Sequence, residues 1–311
     1  MTDGWRDEAV RVMEAYTGAE AGYRRAHPRG IGVRGHFVAD PDVSRWSVAD
    51  VLQGGRTDVV VRLSNASGSP HAADRLSARR GAVLGLAVRF APASGGFSTW
   101  AASNLSSFPA RTPQEFVAAT IAQRPGRRTG LPNPARLAWF LLCHPHSAAG
   151  FRAILGMPAT PSFATTRFNG LNAFFLVDAD GKRRAFRYHW TPEQGVARLT
   201  QAADPNLHRQ YLTDEIAERL ARGPVSWTLN FQLADPGDIT DDVTKQWPKD
   251  RPVIRAGRLV LEGLHEDQAL VEALVFDPNN LPPGLEPSDD PLLRFRSSVY
   301  AESLRRRSQE R

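Results

Sequence analysis

Hydrophobic positions follow two different periods along this chain. Near the N-terminus, apolar residues recur at the spacing of one helix face: Trp5, Ala9, Val12, Met13 and Tyr16. This pattern predicts an amphipathic helix over about residues 3–22, which ends near Gly18 and Gly22. Beyond it, short runs rich in β-branched or aromatic residues are bounded by Gly, Pro, Asp or Ser, which is typical of strands.

Eight of these runs predict eight strands: GIGVRGHFVA, DVVVRLS, VLGLAVRF, NAFFLVD, RAFRYHW, VSWTLNFQL, GRLVLEG and ALVEALVF. The segment DADGK, residues 178–182, separates two aromatic-rich runs and predicts a hairpin turn. Helical patterns follow Thr112, extend over 134–142 and 207–221, and return at about 290–307.

A cluster of strands that is interrupted by a helical excursion predicts an α+β fold. Closing the sheet into an antiparallel barrel would remove its exposed edges. The chain has 311 residues and no obvious linker, so the sequence predicts a single domain over 1–311.

The charge balance adds little to this picture. The formal net charge is +6, but basic and acidic residues are interleaved along most of the chain. Only Lys182, Lys245 and Lys249 are lysines, so the basic residues are nearly all arginine. Because no basic patch with interleaved aromatic residues accompanies the charge, the sequence predicts no nucleic-acid partner.

The cysteine count and the lengths of the apolar runs bear on where in the cell the protein is located. The single cysteine, Cys143, excludes an internal disulfide framework, and the first residues have no signal-peptide pattern. The longest apolar runs fall short of the roughly 18 residues that a membrane span needs. The sequence therefore predicts a cytoplasmic protein with no membrane partner. The neighbouring His144 and His146 are interpreted as an incidental pair in a loop, since no second cluster stands at zinc spacing.

Candidate chemistry begins at the segment RRAHPRGIGVRGHF, where His27 precedes a strand punctuated by glycines that allow close approach of a ligand. This segment resembles the distal-histidine segment of haem catalases. Further blocks resemble that family in the same order: VVVRLSNASG, GLAVRF, RFNGLNAFFLVDADGKRRAFRYHW and FDPNNLPPGLEPSDDPLLRFRSSVY. The resemblance covers roughly residues 20 to 307. It implies an eight-stranded antiparallel β-barrel with flanking helices and a haem b cofactor between them.

The resemblance also implies roles for individual residues. His27 matches the distal base, since an imidazole with a pKa of about 6.5 can take a proton from peroxide and return it. Ser64 matches the serine that orients this histidine. Three arginines and one phenylalanine match the residues that meet the haem propionates and stack on a haem face: Arg24, Arg62, Arg307 and Phe116.

The proximal side is indicated by RFRSSVYAES, in which Arg296 and Tyr300 are four residues apart and share a helix face. By resemblance, Tyr300 is the iron ligand. A phenol has a pKa near 10, so a neighbouring arginine that stabilises the phenolate makes it a competent ligand.

One block departs from the family pattern. In ASNLSSFPARTP, alignment on Phe108 and Arg111 assigns Ser103 to the family's distal asparagine, whereas a shift of one residue assigns Asn104. Asn104 is preferred, because an amide can donate a hydrogen bond to peroxide.

Other departures bear on the activity. The chain lacks the long N-terminal arm and the C-terminal helical region of full-length catalases, and Ala26 stands where a larger branched residue is usual. A wider pocket predicts a haem peroxidase that reduces peroxides with small organic electron donors and has weak catalase activity. The alternatives are a hydroperoxide isomerase or dehydratase of the allene oxide synthase type and a non-enzymatic haem-binding protein. A homo-oligomer is possible.

Overall fold

One antiparallel sheet forms the centre of the computed structural model. The structure describes residues 3–18, 20–66, 69–75, 80–124, 126, 132–199 and 208–310. Its strands are β1 (Arg29–Ala39), β2 (Arg56–Asn65), β3 (Leu84–Ala91), β4 (Ser98–Ser103), β5 (Phe168–Val177), β6 (Arg183–Pro192), β7 (Val225–Leu233), β8 (Val253–Leu264) and β9 (Leu285–Pro287). Neighbouring strands run in the order β4-β3-β2-β1-β8-β7-β6-β5, and β4 also pairs with β5, which closes an eight-stranded barrel. The short β9 pairs with β5.

The helices lie outside this barrel. They are α1 (Asp3–Thr17), α2 (Pro113–Gln123), α3 (Pro134–Cys143), α4 (Ala148–Leu155), α5 (Tyr211–Arg222), α6 (Gln268–Ala273) and α7 (Pro291–Gln309). Helices α1, α2 and α7 meet in a small apolar cluster that contains Ala9, Val117 and Phe295. None of the helices in the described ranges is long and apolar enough to cross a membrane.

Large aromatic side chains fill the barrel interior. Several of them are buried: Phe37, Phe90, Trp100, Phe186, Tyr188, Trp190 and Phe231. The rings of Phe186 and Phe231 have centroids 4.5 Å apart, and those of Trp100 and Tyr188 are 4.9 Å apart. Because the interior is packed with side chains, a large ligand has to bind outside the barrel.

The predicted α+β class and the eight-stranded barrel are confirmed, but one predicted strand is wrong. Residues 268–273 of the run ALVEALVF and its flank form α6, whose N-cap Asp267 accepts a hydrogen bond from the Leu270 N–H at 2.8 Å. The eighth barrel strand is instead β4, with the sequence STWAAS. Its small residues give no clear strand signal, and its place is set by pairing with β3 and β5.

Three further predictions concern the hairpin at 178–182 and the ends of two helices. The hairpin at 178–182 is confirmed: the Asp178 N–H donates to the Lys182 carbonyl at 3.2 Å, and Gly181 has a φ of +76°. Helix α1 ends at Thr17, five residues before the predicted boundary. The predicted helix start at Leu207 lies outside the described residues, and α5 begins at Tyr211.

Candidate functional site

A cavity of about 750 Å³ lies between the barrel strands and helices α1, α2 and α7. This volume is in the range of cofactor and ligand sites. Eight of the nine site residues predicted from the sequence line it: Arg24, His27, Arg62, Ser64, Phe116, Arg296, Tyr300 and Arg307. Residues that are up to 283 positions apart in sequence thus meet in one cavity.

His27 lies in the loop that precedes β1. Among the described residues, it is the only non-glycine residue with a positive φ, +54°. Its Nδ1 lies 2.9 Å from the Ser64 Oγ on β2. Gly85 is paired with Ser64 across β2 and β3, and a Cβ at Gly85 would stand 2.8 Å from the His27 Cε1. Because Gly85 has no side chain, there is room for the imidazole to lie against the sheet.

Burial and positive charge act together on His27. Burial is the larger effect, and the guanidinium groups of Arg62, Arg296 and Arg24 add to it, so the pKa of His27 falls to about 3. The ring is therefore neutral at ordinary pH. The Ser64 hydroxyl can donate to the Gly85 carbonyl, 3.5 Å away, and accept from the His27 Nδ1–H. In that tautomer Nε2 carries the lone pair that can accept a proton.

Arg62 and Arg24 share one carboxylate, that of Glu272 on α6. The Arg62 Nε donates to Glu272 Oε1 at 2.8 Å and its Nη2 to Oε2 at 3.2 Å, while the Arg24 Nε donates to Oε2 at 3.3 Å. The Arg62 guanidinium lies against β1 at Gly30, where a Cβ would stand 2.4 Å from its Cζ. A side chain at position 30 would therefore displace this guanidinium group.

Arg307 of α7 completes an arginine cluster with Arg24 and Arg62. Its Nη1 donates to the Glu272 carbonyl at 2.7 Å and its Nη2 to the Ala273 carbonyl at 3.1 Å. The Arg24 Nη2 donates to the Leu274 carbonyl at 2.8 Å. Burial, followed by the charges of Arg62 and Arg307, lowers the pKa of Arg24 to about 9. Cations held together at this cost are typical of an anion-binding site.

On α7, the hydroxyl of Tyr300 lies beside the guanidinium cation of Arg296. The Arg296 Nη2 donates to the Tyr300 hydroxyl oxygen at 2.9 Å, and its Nη1 donates to the Asn172 Oδ1 at 3.3 Å. The Asn172 Nδ2 in turn donates to Asp290, the N-cap of α7, at 2.9 Å. Burial opposes the charge of Arg296, but interaction with Tyr300 outweighs it and raises the pKa of Arg296. Arg296 is therefore a permanent cation in hydrogen-bond contact with the Tyr300 hydroxyl.

Aromatic side chains supply an apolar wall. Phe116 on α2 and Phe108 both line the cavity, with ring centroids 6.2 Å apart and an interplanar angle of 14°. Two nearly parallel rings at a cavity wall suit a flat ligand.

Asn104 is the predicted site residue that does not line the cavity. Its Oδ1 accepts from the Leu84 N–H at 2.8 Å and its Nδ2 donates to the Ala82 carbonyl at 3.3 Å, so its amide is committed to the backbone beside β3. Ser103, the neighbour that the unshifted alignment favours, does line the cavity. Sequence reasoning also missed Glu272, because its segment was interpreted as a strand; the Asp267 N-cap was the available signal.

The histidine pair near Cys143 lies apart from the cavity residues. His144 stacks on Phe140 with ring centroids 4.4 Å apart, and the His146 Nε2 lies 2.9 Å from the Glu115 Oε2. Throughout the described ranges, no group of three or more His, Cys, Asp or Glu residues is arranged to hold a metal ion.

The protein is thus a closed antiparallel barrel with an external cavity that joins a half-buried histidine, an arginine cluster and a tyrosine–arginine pair. The catalase family model matches residues 12–310, and the chain belongs to the catalase family. That family implies a haem cofactor.

Relatives and solved structures agree with this assignment. The chain is 34% identical to a catalase-related peroxidase of Mycolicibacterium paratuberculosis over 97% of this chain and 94% of the relative. It is 32% identical to a catalase-related peroxidase of Synechococcus elongatus, over 97% of this chain and 88% of the relative. A solved bacterial catalase superposes with a TM-score of 0.81 at 25% identity, over 93% of this chain and 58% of that one. The chain thus spans little more than half of that catalase.

Proposed function

We propose that this protein is a peroxidase of the catalase family that binds haem b in the 750 Å³ cavity and reduces hydrogen peroxide or organic hydroperoxides with small organic electron donors. The observation that carries the proposal is the meeting of three groups in one cavity: neutral His27, the Arg296–Tyr300 pair and the arginine cluster. Relatives that match nearly the whole chain and are named catalase-related peroxidases support a peroxide-acting oxidoreductase.

The cavity residues fit the cofactor in charge and shape. The Nη1 groups of Arg24 and Arg62 have no hydrogen-bond acceptor among the described residues, although these side chains are only 10% and 4% exposed. Such donors are suited to carboxylates, and haem b has two propionates. Arg24, Arg62 and Arg307 would hold the propionates, and Tyr300 would ligate the iron as a phenolate. When bound, haem supplies the redox chemistry of peroxide cleavage.

His27 would act as the base that accepts a proton from peroxide. Because its pKa is depressed to about 3, the ring is ready to accept a proton at Nε2 from one peroxide oxygen and to return it to the departing oxygen. Ser64 holds the ring in place through Nδ1. Through its hydrogen bond to the Tyr300 hydroxyl oxygen, Arg296 would stabilise Tyr300 as an iron ligand.

A second polar group beside His27 would orient peroxide, and we propose Ser103 for this role in place of Asn104. The Ser103 residue lines the cavity, whereas the Asn104 amide is bonded to the backbone of residues 82 and 84. A hydroxyl can both donate to and accept from a peroxide oxygen.

The wider description of the protein stays a set of predictions from the sequence. These are a single domain over 1–311, a cytoplasmic location, no nucleic-acid or membrane partner, and a possible homo-oligomer.

The test is to reconstitute the purified protein with haem, record its absorption spectrum, and follow peroxide-dependent oxidation of an aromatic donor with oxygen release measured in parallel. The expected result is a ferric high-spin haem spectrum and donor oxidation that exceeds oxygen release. A protein that binds haem but does not oxidise the donor in the presence of peroxide would overturn the proposed activity.

A further inference from the structure

The short helix α6 organises the arginine cluster. The guanidinium groups of Arg24 and Arg307 contact carbonyl oxygens at its C-terminal end, in residues 271–274. The carboxylate of Glu272 contacts Arg62 and Arg24. Backbone carbonyls at a helix C-terminus carry partial negative charge, so helix and carboxylate together hold cations that would otherwise repel one another.

The contacts leave a specific set of donors unused. Glu272 occupies the Nε and Nη2 groups of Arg62 and the Nε group of Arg24, and backbone carbonyls occupy the Arg24 Nη2. Within the described ranges the Nη1 group of each arginine has no acceptor, and both arginines line the cavity. Because a guanidinium is planar and rigid, fixing one edge also fixes the direction of its remaining donor.

These unused donors point to the ligand. Arg24 and Arg62 each have one Nη1 group without an acceptor among the described residues, and both share the single negative charge of Glu272. Burial and the two arginines Arg62 and Arg24 have opposing effects on Glu272, and the arginines prevail, so its pKa is lowered and it is ionised at neutral pH. A ligand with two carboxylates offers one acceptor to each of these two Nη1 groups, whereas a ligand with none leaves both donors without a partner.

We propose that Glu272 is a positioning residue that matches the arginine cluster to a dicarboxylate, with the two propionates of haem as its ligand. It holds Arg24 and Arg62 by one edge, so that their Nη1 groups serve the carboxylates without rearrangement. The identity of the ligand rests on the proposed function, whereas the positioning role is tested by binding alone.

The experiment compares Glu272→Gln with the wild type in the rate of haem loss to excess apomyoglobin and in the affinity for haem and for haem dimethyl ester. We expect haem loss to become about tenfold faster, which is the effect of one charge-assisted hydrogen bond. Affinity for the dimethyl ester should not change, because the ester lacks the carboxylates through which Glu272 acts. Glu266→Gln is the matched control, since Glu266 is exposed and lies on the same segment outside the cluster.

Several results would overturn the proposal. Unchanged or slower haem loss in Glu272→Gln would mean that Glu272 is idle or competes with the propionates. An equal loss of affinity for haem and for the ester would indicate a general structural role. Glu272→Asp keeps the charge but shortens its reach, and an intermediate rate of haem loss is expected; a wild-type rate would contradict positioning even if the glutamine variant did not fold. A wild-type protein that retained no haem would instead refute the proposed function.

Discussion

At the scale of single residues, His27 has an unusual backbone conformation with a positive φ. Its imidazole lies in the positive electrostatic field of nearby arginines. A free imidazole with a pKa of about 6.5 is half protonated at that pH, and the fraction that can accept a proton falls further as the pH decreases. Burial and three arginines remove this limit in His27, because they disfavour the imidazolium. The surroundings of His27 therefore widen the pH range in which it can accept a proton.

The pH dependence of the peroxide reaction follows from this shift. Since the pKa of His27 is lowered to about 3, the reactive neutral form persists as the pH falls through 6.5 and is lost only near pH 3. We expect the second-order rate constant for peroxide to be constant between about pH 5 and 8, as measured by stopped-flow absorption. A rate that halves near pH 6.5 would show that His27 has an ordinary pKa in the working protein.

Removing the imidazole tests its role directly. His27→Ala should keep haem, because the proposed cofactor ligands lie elsewhere, but should react with peroxide roughly 10²–10⁴-fold more slowly. His71→Ala is the control, since His71 is exposed and does not line the cavity. If His27→Ala reacted at the wild-type rate, another group would have to be the base.

Alanine substitutions at Ser103 and Asn104 should affect different properties, the peroxide reaction in the first case and stability in the second. Ser103→Ala should slow the peroxide reaction and leave stability nearly unchanged. Asn104→Ala leaves the Leu84 N–H and the Ala82 carbonyl without their partner, so the free energy of unfolding should fall by about 1–3 kcal/mol. Urea denaturation and stopped-flow kinetics on both variants check this pair. A slow but fully stable Asn104→Ala protein would restore Asn104 to the distal role.

At the scale of elements, helix α7 presents Arg296 and Tyr300 on one face and is fixed to β5 by Asn172. Tyr300→Phe removes the proposed iron ligand, so haem should be lost or bound with an altered spectrum. Arg296→Leu should retain haem but shift its visible spectrum, because the phenolate loses its stabilising charge. Arg294→Leu is the control, since Arg294 is exposed, forms an ion pair with Asp289 and does not line the cavity. Unchanged haem content and spectrum in Tyr300→Phe would remove the axial assignment.

Most elements could be predicted from the sequence, and the two errors have physical causes. The run at 269–276 is apolar and short, and such a run has no period that separates strand from helix. Its helical state depends on the Asp267 cap and on contacts with distant arginines. In β4, the residues around Trp100 are small or polar, and only closure of the barrel makes them a strand.

The position of most predicted site residues at one cavity followed from the sequence, whereas their roles stay predictions. His27, Ser64, Arg296 and Tyr300 line the cavity because whole segments that resemble a family keep their order in the fold. The choice between Ser103 and its neighbour depended instead on strand register, since successive residues of a strand face opposite sides. That register is fixed by the pairing of Ser103 with Gly85, a contact between distant segments that a single sequence does not reveal.

At the scale of the whole molecule, the barrel is a filled scaffold, and the cavity is the place where its surface meets α1, α2 and α7. The arginine cluster joins Arg24 and Arg62 to α6, and the Arg296–Tyr300 pair joins α7 to β5 through Asn172. A ligand that engages both groups links these segments, and it can do so only in the folded state. Ligand binding and folding should therefore be coupled.

Thermal unfolding measures this coupling. At a free haem concentration about 100 times its dissociation constant, binding should add roughly 2.7 kcal/mol to the free energy of unfolding. For a chain of 311 residues, that corresponds to a rise in Tm of about 4 °C. Metal-free protoporphyrin IX keeps both propionates but cannot be ligated by Tyr300, so it should stabilise the protein less, and Tyr300→Phe should abolish the difference between the two ligands. A Tm that does not depend on haem concentration would contradict binding in this cavity, because any ligand that links α7 to the barrel must oppose their separation.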